Sequence, residues 1–482
     1  MSTYEPQYDL VIVGAGPAGL ALAQVCSSTK KVLVIEKEAD IGGCHRVRRS
    51  KENLFTEHGP RVYTGAYVNF KGLLKDIGVE FHDIFTPYRF NFTRIGNETI
   101  WKTLSGRELL VLIKDFLQLL AYSDHGKDVT MEEYVKLNRF SDKTRDVIDR
   151  LCRLTDGAGS DRFTLHEFLS LFNYHFMYGI YQPKAPNDKL LFPLWKKELE
   201  KKGVVFLTNT RVTGISTSGK LVTSISVTQN SSKTVLRAND FVLSFPPKQL
   251  HQLIQNSTVK DAFGPIDELR RYAVDTEYID YLSITFHWDT DLILQKVYGF
   301  PRSEWGIGFV VLTDYMKFDE ESSKTVISLA ITYTDTKSTR INKTANECDE
   351  KQLLDEALAQ LKETFPDLPQ PTHTLLSPGV VRDTLKNKWT SLDTAYISTA
   401  KEKKFLDFKS KDFSNLFTLG THNGKSLYPF TTLESAVSNA IVLGNILNGN
   451  KNDRILQKSF TFANLMLYIV ITLVIISITL TL

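Results

Sequence analysis

The stretch that decides the fold is YDLVIVGAGPAG at residues 8–19, followed by LALAQVCSS at residues 20–28. The apolar run at 8–13 is typical of a buried parallel strand, and residues 20–28 have the periodicity of a helix. A second apolar run, KVLVI at residues 31–35, predicts another strand, which ends at Glu36. Strand, glycine turn, helix, strand and acidic residue follow each other within about 30 residues, which predicts a dinucleotide-binding βαβ unit.

Each glycine of the predicted turn has its own physical task. Gly14 makes the tight turn, Gly16 lets the backbone approach a pyrophosphate, and Gly19 lets the helix pack closely on the sheet. The first helical turn presents free N–H groups and a partial positive charge to phosphates. Glu36 can accept hydrogen bonds from both ribose hydroxyls. The predicted dinucleotide contacts in this unit are Gly14, Gly16, Pro17, Ala18, Gly19, Glu36 and Lys37.

Two elements that follow the acidic residue indicate which dinucleotide is bound. Residues 39–46 read ADIGGCHR, and residues 59–61 read GPR. In these elements the sequence resembles the flavin-containing amine oxidase superfamily, which includes protoporphyrinogen oxidases and phytoene desaturases. The resemblance implies FAD. It assigns Gly42, Gly43 and Arg46 to the pyrophosphate region and Gly59, Pro60 and Arg61 to the flavin region. The alternative for Arg46 is a solvated surface arginine.

A third element that resembles this family lies near the C-terminus, where residues 416–447 read LFTLGTHNGKSLYPFTTLESAVSNAIVLGNIL. A strand that ends at Gly420, a loop and a helix from near Thr432 are predicted. In the family the N–H groups at the start of this helix face the flavin, where they stabilise its reduced form. The further contacts that the resemblance implies are Val212 against the adenine, and Gly420, Thr421, Thr432, Leu433 and Ser435.

The pattern of apolar and polar residues changes along the chain, and this predicts its domains. The fold class is α/β: a discontinuous Rossmann-type FAD-binding domain, an inserted α+β substrate domain and a single C-terminal transmembrane helix. The predicted FAD-binding domain comprises residues 1–85, 203–265 and 378–450. The predicted substrate domain comprises residues 86–202, which are rich in helical patterns, and residues 266–377, whose alternating pattern predicts an antiparallel sheet.

The C-terminal residues 462–482 contain no charge and no proline. As a helix they span roughly 30 Å, the thickness of the hydrocarbon core of a bilayer. In the predicted linker, residues 451–461, Lys451, Arg454 and Lys458 outnumber Asp453, and basic residues beside a span usually stay on the cytoplasmic side. The prediction is a tail-anchored, single-pass membrane protein with its bulk in the cytosol. The alternative is a buried core helix.

Composition excludes several classes of protein. The 482 residues are 42% hydrophobic and 23% charged, which excludes a mainly disordered chain. The net charge of +3 does not favour nucleic-acid binding. The spacing of the four cysteines fits no zinc pattern and indicates reduced thiols, so no metal site is predicted. The four cysteines are Cys26, Cys44, Cys152 and Cys348.

The sequence departs from the family pattern where catalysis is concerned. His422 stands where the family has an acidic residue, Thr432 replaces an aromatic residue, and Tyr281 occupies the position of a catalytic lysine in a loose alignment. No cysteine lies near the C-terminal flavin element, so the FAD is predicted to be non-covalent. His422 is predicted either to carry a proton with a pKa near neutrality or to contact the cofactor. The candidates for the substrate side are Tyr428, Phe430, Lys388, Trp389 and His422; core or surface positions are the alternative.

These observations predict an FAD-dependent oxidoreductase. It would transfer a hydride from a C–N or C–C bond of a small lipophilic or amine substrate to flavin N5, with oxygen or another compound as electron acceptor. One alternative is a non-catalytic, membrane-anchored flavoprotein. The other is a non-redox flavoenzyme similar to UDP-galactopyranose mutases. The sequence leaves these alternatives open because function depends on the site rather than on the fold.

Overall fold

The structure is a computed structural model. It describes residues 7–88, 94–95, 98–156, 159–275, 278–279, 281–294, 303–385, 387–392, 395–396, 405–449 and 454–481. Of the predicted linker, Lys451 and Asp453 lie outside the described residues.

The N-terminal segment forms the βαβ unit that its sequence predicts. Helix α1 begins at Pro17, directly after the glycine turn, and the two strands beside it pair in parallel. The elements of this segment are β1 (Tyr8–Val13), α1 (Pro17–Cys26), β2 (Val32–Ile35), β3 (Val47–Arg49), β4 (Phe55–Glu57), β5 (Tyr63–Thr64), α2 (Val68–Asp76), α3 (Phe81–Ile84) and β6 (Phe85–Pro87).

The next segment is mainly helical. Three of its helices begin with a capping box, in which a Ser or Thr side chain and a Glu three residues later satisfy each other's backbone N–H groups. Its elements are β7 (Arg94–Ile95), β8 (Glu98–Thr99), α4 (Ile100–Thr103), α5 (Gly106–Ala121), α6 (Met131–Leu137), α7 (Asp142–Asp156), α8 (Leu165–His175), β9 (Ile180–Pro183) and α9 (Leu191–Lys201).

Helix α9 shows where the predicted domain division differs from the packing. The division places residues 191–201 in the substrate domain. In the structure Trp195, fully buried, donates from Nε1 to Gln24 Oε1 of α1 at 2.8 Å, and Leu199 packs in the same core. The packing therefore favours a boundary before α9, because its apolar face is buried in the core around α1.

A strand-rich segment follows and returns the chain to the parallel sheet. Strands β11, β12 and β13 pair antiparallel, as a meander, and β14 pairs in parallel with β1. The elements are β10 (Val205–Leu207), β11 (Thr210–Ser218), β12 (Leu221–Gln229), β13 (Ser232–Leu236), β14 (Ala238–Leu243), α10 (Pro247–Ile254) and α11 (Ile266–Asp275).

The predicted antiparallel sheet of the central region is confirmed. Its strand order is β17-β18-β16-β21, and α12 packs on it through Leu353, Ala357 and Leu361. The elements are β15 (Tyr278–Ile279), β16 (Leu282–Trp288), β17 (Ile307–Val311), β18 (Thr325–Ile331), β19 (Lys337–Ser338), β20 (Lys343–Thr344), α12 (Glu350–Lys362), β21 (His373–Leu376), β22 (Val380–Asp383) and β23 (Lys388–Ser391).

The C-terminal elements complete the parallel sheet. They are β24 (Ala395–Tyr396), β25 (Leu416–Thr418), α13 (Leu433–Leu447) and α14 (Phe462–Thr481). The sheet has the order β10-β2-β1-β14-β25, and α13 packs on α1 so closely that a Cβ at Gly444 would meet Val25 at 2.4 Å. The strand order therefore brings the segments that follow β1, β2, β14 and β25 to the carboxyl edge of the sheet, where ligands bind in this class of fold.

Helix α14 leaves the body of the protein. Its first turn packs against the helical segment, and its side chains from Leu467 to Leu480 are exposed. The alternative of a buried core helix is therefore wrong. The helix is long and apolar enough to cross a membrane, by length and composition.

Candidate active site

A cavity of about 750 Å³ lies at the carboxyl edge of the parallel sheet and is lined from both ends of the chain. It brings together most of the predicted cofactor residues. Those that line it are Gly14, Gly16, Pro17, Ala18, Glu36, Lys37, Gly43, Arg46, Gly59, Pro60, Arg61, Val212, Gly420, Thr421, Thr432 and Leu433. Gly19, Gly42 and Ser435 are not among its lining residues.

The glycine turn has the geometry that a close backbone approach requires. Gly14 has φ +109°, and a Cβ there would lie 2.4 Å from the Ser244 carbonyl oxygen. A Cβ on Gly19 would lie 2.0 Å from the Gly14 carbonyl oxygen, so these two glycines are needed by the fold itself. Gly16 differs, because its Cβ would meet Gly43 Cα at an ordinary 3.6 Å. Gly16 therefore leaves space that a ligand can fill.

Glu36 and Arg46 form a buried ion pair at the same end of the cavity. Glu36 Oε2 accepts a hydrogen bond from Ala15 N at 2.9 Å, and Arg46 Nη2 donates to Glu36 Oε1 at 3.2 Å. Arg46 Nε also donates to the Asp40 carbonyl at 3.0 Å. Arg46 is only 6% exposed, so the alternative of a solvated surface arginine is wrong. The pair ties the glycine turn to the segment after β2.

The turn at residues 59–61 is held by contacts to three other segments. Arg61 donates to the Cys44 carbonyl, Gln182 Nε2 donates to the Arg61 carbonyl at 2.7 Å, and Ser283 donates to the His58 carbonyl. His58 stacks on Tyr281, with ring centroids 6.1 Å apart. Sequence analysis missed His58 as a cavity residue, although its place directly before the GPR element was a usable signal.

Two buried hydroxyl groups on the cavity wall test whether FAD fits the site. Among the described residues, neither Thr432 Oγ1 nor Ser244 Oγ has a hydrogen-bond partner. Thr432 lies at the start of α13, and Ser244 lies against Gly14. A buried hydroxyl without a partner is costly, so both positions suit a polar ligand that reaches from the glycine turn to α13. FAD has the phosphates and the flavin edge that would meet these groups.

Burial controls the chemistry of His422. Its side chain is 1% exposed, and Nε2 lies 3.0 Å from Thr418 Oγ1. Burial lowers the pKa of His422 to about 3. This lowered pKa argues against the hypothesis that His422 carries a proton near neutral pH. A neutral imidazole on the cavity wall can hold Thr418 in place through this contact. It also packs closely on Gly420, where a Cβ would lie 2.6 Å from the His422 ring.

The lowered pKa of His422 predicts acid sensitivity. The unfolded chain takes up a proton as the pH falls through 6.5, the ordinary value, and the folded chain does not until about 3. The contribution of His422 to the free energy of unfolding should therefore fall by about 2 kcal/mol between neutral pH and about pH 5. We expect His422→Gln to flatten this fall, measured by urea unfolding across the pH range. His82→Gln, at an exposed position, is the control, and an unchanged slope in His422→Gln would contradict the assignment.

The part of the cavity away from the glycine turn has an apolar and aromatic wall. Tyr428 is its centre, with ring centroids 5.0 Å from Tyr174, 5.7 Å from Tyr67 and 5.3 Å from Phe430. The other residues of this wall are Leu171, Tyr178, Ile180, Tyr281, Phe309, Val310 and Leu392. Among the described lining residues Glu36 is the one carboxylate, and it lies at the opposite end. The structure thus places the candidates Tyr428 and Phe430 on the cavity.

Lys388 and Trp389 do not reach the cavity, and both are corrected as candidates for the substrate side. They lie on β23, where Trp389 is buried and donates from Nε1 to the Cys348 carbonyl at 3.2 Å. Trp389 belongs to the core between the antiparallel sheet and α12. Their polar sequence surroundings gave no sign of this long-range packing.

Comparisons with known proteins identify the family of the chain. The profile of the family described as flavin containing amine oxidoreductase matches residues 17–441. A UDP-galactopyranose mutase of Mycoplasma genitalium is 39% identical over 59 residues, which are 12% of this chain and 15% of that protein.

Solved structures share the fold across most of the chain. Putrescine oxidase bound to putrescine has a TM-score of 0.64 at 12% identity, covering 92% of this chain and 99% of its own. An oxidoreductase from Methanosarcina mazei has a TM-score of 0.61 at 14% identity, covering 90% and 99%. Cyclohexylamine oxidase from Brevibacterium oxydans has a TM-score of 0.59 at 12% identity, covering 92% and 99%. With the profile match over most of its length, the chain belongs to the flavin-containing amine oxidoreductase family and binds FAD.

Proposed function

We propose that this FAD-dependent oxidoreductase oxidises a lipophilic organic substrate at a C–N or C–C bond, by removing a hydride from one carbon of that bond while a proton leaves the neighbouring atom. The observation that carries the proposal is one cavity that runs from the glycine turn to an aromatic wall. The described residues of that wall include no carboxylate. When bound, FAD supplies the two-electron acceptor at flavin N5, and oxygen or another compound then takes the electrons. The protein's residues bind and orient both molecules and keep water away.

We assign the cofactor contacts by their positions on the cavity. The free N–H groups at the start of α1 would hold the pyrophosphate, Glu36 the ribose, and Val212 the adenine. At the other end, the first N–H groups of α13 and the Thr432 hydroxyl would meet the flavin edge. Of the four free cysteines, Cys44 is the one that lines the cavity, at the glycine-turn end. This supports non-covalent binding of the flavin.

The substrate end of the cavity favours a neutral, apolar molecule. A diammonium compound would leave a buried charge without a counter-charge there, which is costly. The aromatic rings around Tyr428 instead provide apolar surface, and burial of each additional methylene group contributes about 0.8 kcal/mol. An alkylamine in its neutral form, or a hydrocarbon-rich ring system with an oxidisable C–C bond, suits this wall.

The tail supports a membrane location for such a substrate. We propose that α14 crosses a membrane once and holds the catalytic body on the cytosolic side. Its 20 residues span roughly 30 Å, and Arg454 and Lys458 precede it on the side of the body.

The test uses the purified full-length protein. Its flavin absorbance should pass wholly into the supernatant after acid precipitation, as expected for non-covalent FAD. Under anaerobic conditions, linear alkylamines of increasing length and a porphyrinogen are then added, with putrescine as the control. We expect bleaching of the flavin band, with the apparent second-order rate constant of flavin reduction by the alkylamines rising about fourfold per methylene group. Faster bleaching by putrescine than by a monoamine of equal length would overturn the apolar assignment. No bleaching by any compound would favour the non-catalytic alternative.

A mutase is the second candidate, because of the short stretch shared with UDP-galactopyranose mutase. A nucleotide-sugar diphosphate needs basic side chains at the substrate end. The lysine and arginine residues of the described lining, namely Lys37, Arg46, Arg61 and Arg211, lie on the segments assigned to FAD. We therefore expect the reduced protein to leave UDP-galactopyranose unchanged, measured by chromatography of the sugar nucleotide.

A further inference from the structure

Helix α5 has two apolar faces, although only one of them packs on the protein. Leu112 and Leu119 point into the helical core. On the other side Leu110, Ile113 and Leu117 are 68%, 44% and 58% exposed. Spacings of three and four residues place these three side chains on one stripe of the helix. A contiguous exposed apolar stripe of this kind marks a surface for a partner or a membrane.

The base of α14 is fixed beside this stripe. The Phe462 ring lies 6.2 Å from Phe116 of α5 and 5.3 Å from Phe176, which follows α8. Ala463 N donates to Asn173 Oδ1 of α8 at 2.8 Å. The helix that we propose to cross the membrane therefore starts beside α5. The outer stripe of α5 thus lies within the length of α5 from the bilayer surface.

The charges of α5 distinguish a lipid surface from other partners. Arg107 and Lys114 are exposed. Its two acidic residues are engaged within the protein: Glu108 accepts from Ser105 N and Ser141 N, and Asp115 accepts from Tyr134 and His125. The outer side of α5 is thus apolar with basic residues. This composition is typical of helices that lie in the interface of a membrane with anionic lipids.

We propose that the outer face of α5, defined by Leu110, Ile113 and Leu117, inserts among the acyl chains of the membrane that α14 enters. The inference rests on the proposed attachment through α14 and adds a second, in-plane contact. Helix α8 packs on both α5 and α14, so it also lies near the lipid. Its residues Leu171 and Tyr174 line the cavity. The wall of the substrate end therefore lies on the membrane side of the protein.

The experiment labels the full-length protein from within the bilayer. The protein is placed in vesicles of phosphatidylcholine and phosphatidylglycerol that contain a phosphatidylcholine with a photoactivatable diazirine on its acyl chain. After irradiation, the labelled peptides are identified by mass spectrometry. We expect label on α14 and on the α5 peptide. The β12–β13 hairpin, which exposes Leu221 and Val235, should carry none.

A matched pair of variants makes the result specific. Leu110→Ser with Leu117→Ser should reduce the label on α5 roughly fivefold and leave the label on α14 and the flavin absorbance unchanged. Leu221→Ser with Val235→Ser is the control and should change neither. Label on α14 without label on α5 would overturn the inference. Label on α5 alone would overturn the α14 span and, with it, the inference as stated. The readout does not depend on turnover, so failure of the proposed oxidase activity would be seen separately.

Discussion

Replacing Arg46 by alanine is expected to lower the free energy of unfolding by about 3–5 kcal/mol. The guanidinium is the buried partner of Glu36, and its loss leaves a carboxylate that is 6% exposed without a counter-charge. Urea unfolding of the FAD-loaded protein measures the change. The apparent affinity for FAD should fall as well, because Glu36 accepts from Ala15 N and helps to position the glycine turn.

Two further variants show whether the buried charge causes this loss. In Arg46→Ala with Glu36→Gln the charge is removed, so about half of the lost stability should return, although FAD affinity should stay low. Arg48→Ala is the control: its pair with Glu38, at 3.9 Å, is more exposed, and its loss should cost about 1 kcal/mol or less. Equal effects of Arg46→Ala and Arg48→Ala would show that the buried pair has no special role.

The second large effect is expected for Gly14→Ala. An alanine would have to adopt φ +109°, and its Cβ would lie 2.4 Å from the Ser244 carbonyl oxygen, so the turn between β1 and α1 must move away from β14. We expect the free energy of unfolding to fall by about 2–4 kcal/mol. The ratio of flavin absorbance to protein absorbance in the purified protein should also drop, because the N–H groups at the start of α1 lose their position.

Gly78→Ala separates the two causes of this effect. Gly78 also has a positive φ, +74°, but a Cβ there would meet nothing within 4 Å. This variant should lose only the backbone term, about 1 kcal/mol, and keep its flavin. If both variants lose the same stability, the contact with Ser244 is not what requires a glycine at position 14.

The pattern of the first 36 residues was sufficient to predict the βαβ unit, because its signals are local. An apolar run, three glycines and an acidic residue each act over one turn or one strand. The same holds for the helix predicted to begin near Thr432, which in the structure begins at Leu433. It also holds for α14, because its length follows directly from an uninterrupted apolar run in the sequence. Family resemblance then connected elements that lie about 400 residues apart.

The long-range environment of single side chains could not be read in this way. Nothing near Trp389 indicated that α12 and the antiparallel sheet would bury it, and nothing near His422 indicated a burial that lowers its pKa to about 3. Tyr174 and Tyr178, which sequence analysis missed, reach the cavity only because α8 packs beside the loop that carries Tyr428. Tyr174 has the pattern of an ordinary core residue of an amphipathic helix, and Tyr178 lies beyond the end of α8.

The sequence by itself determined the dinucleotide unit, the order of the FAD elements and an apolar tail, since each depends on neighbours within a few residues. The tertiary structure alone decided which side chains meet at the cavity, that Arg46 is buried against Glu36, and that the substrate end has an aromatic wall without a carboxylate. The physical reason is that burial and charge pairing depend on which surfaces the folded chain brings together. At the cavity of this protein those surfaces come from both ends of the chain.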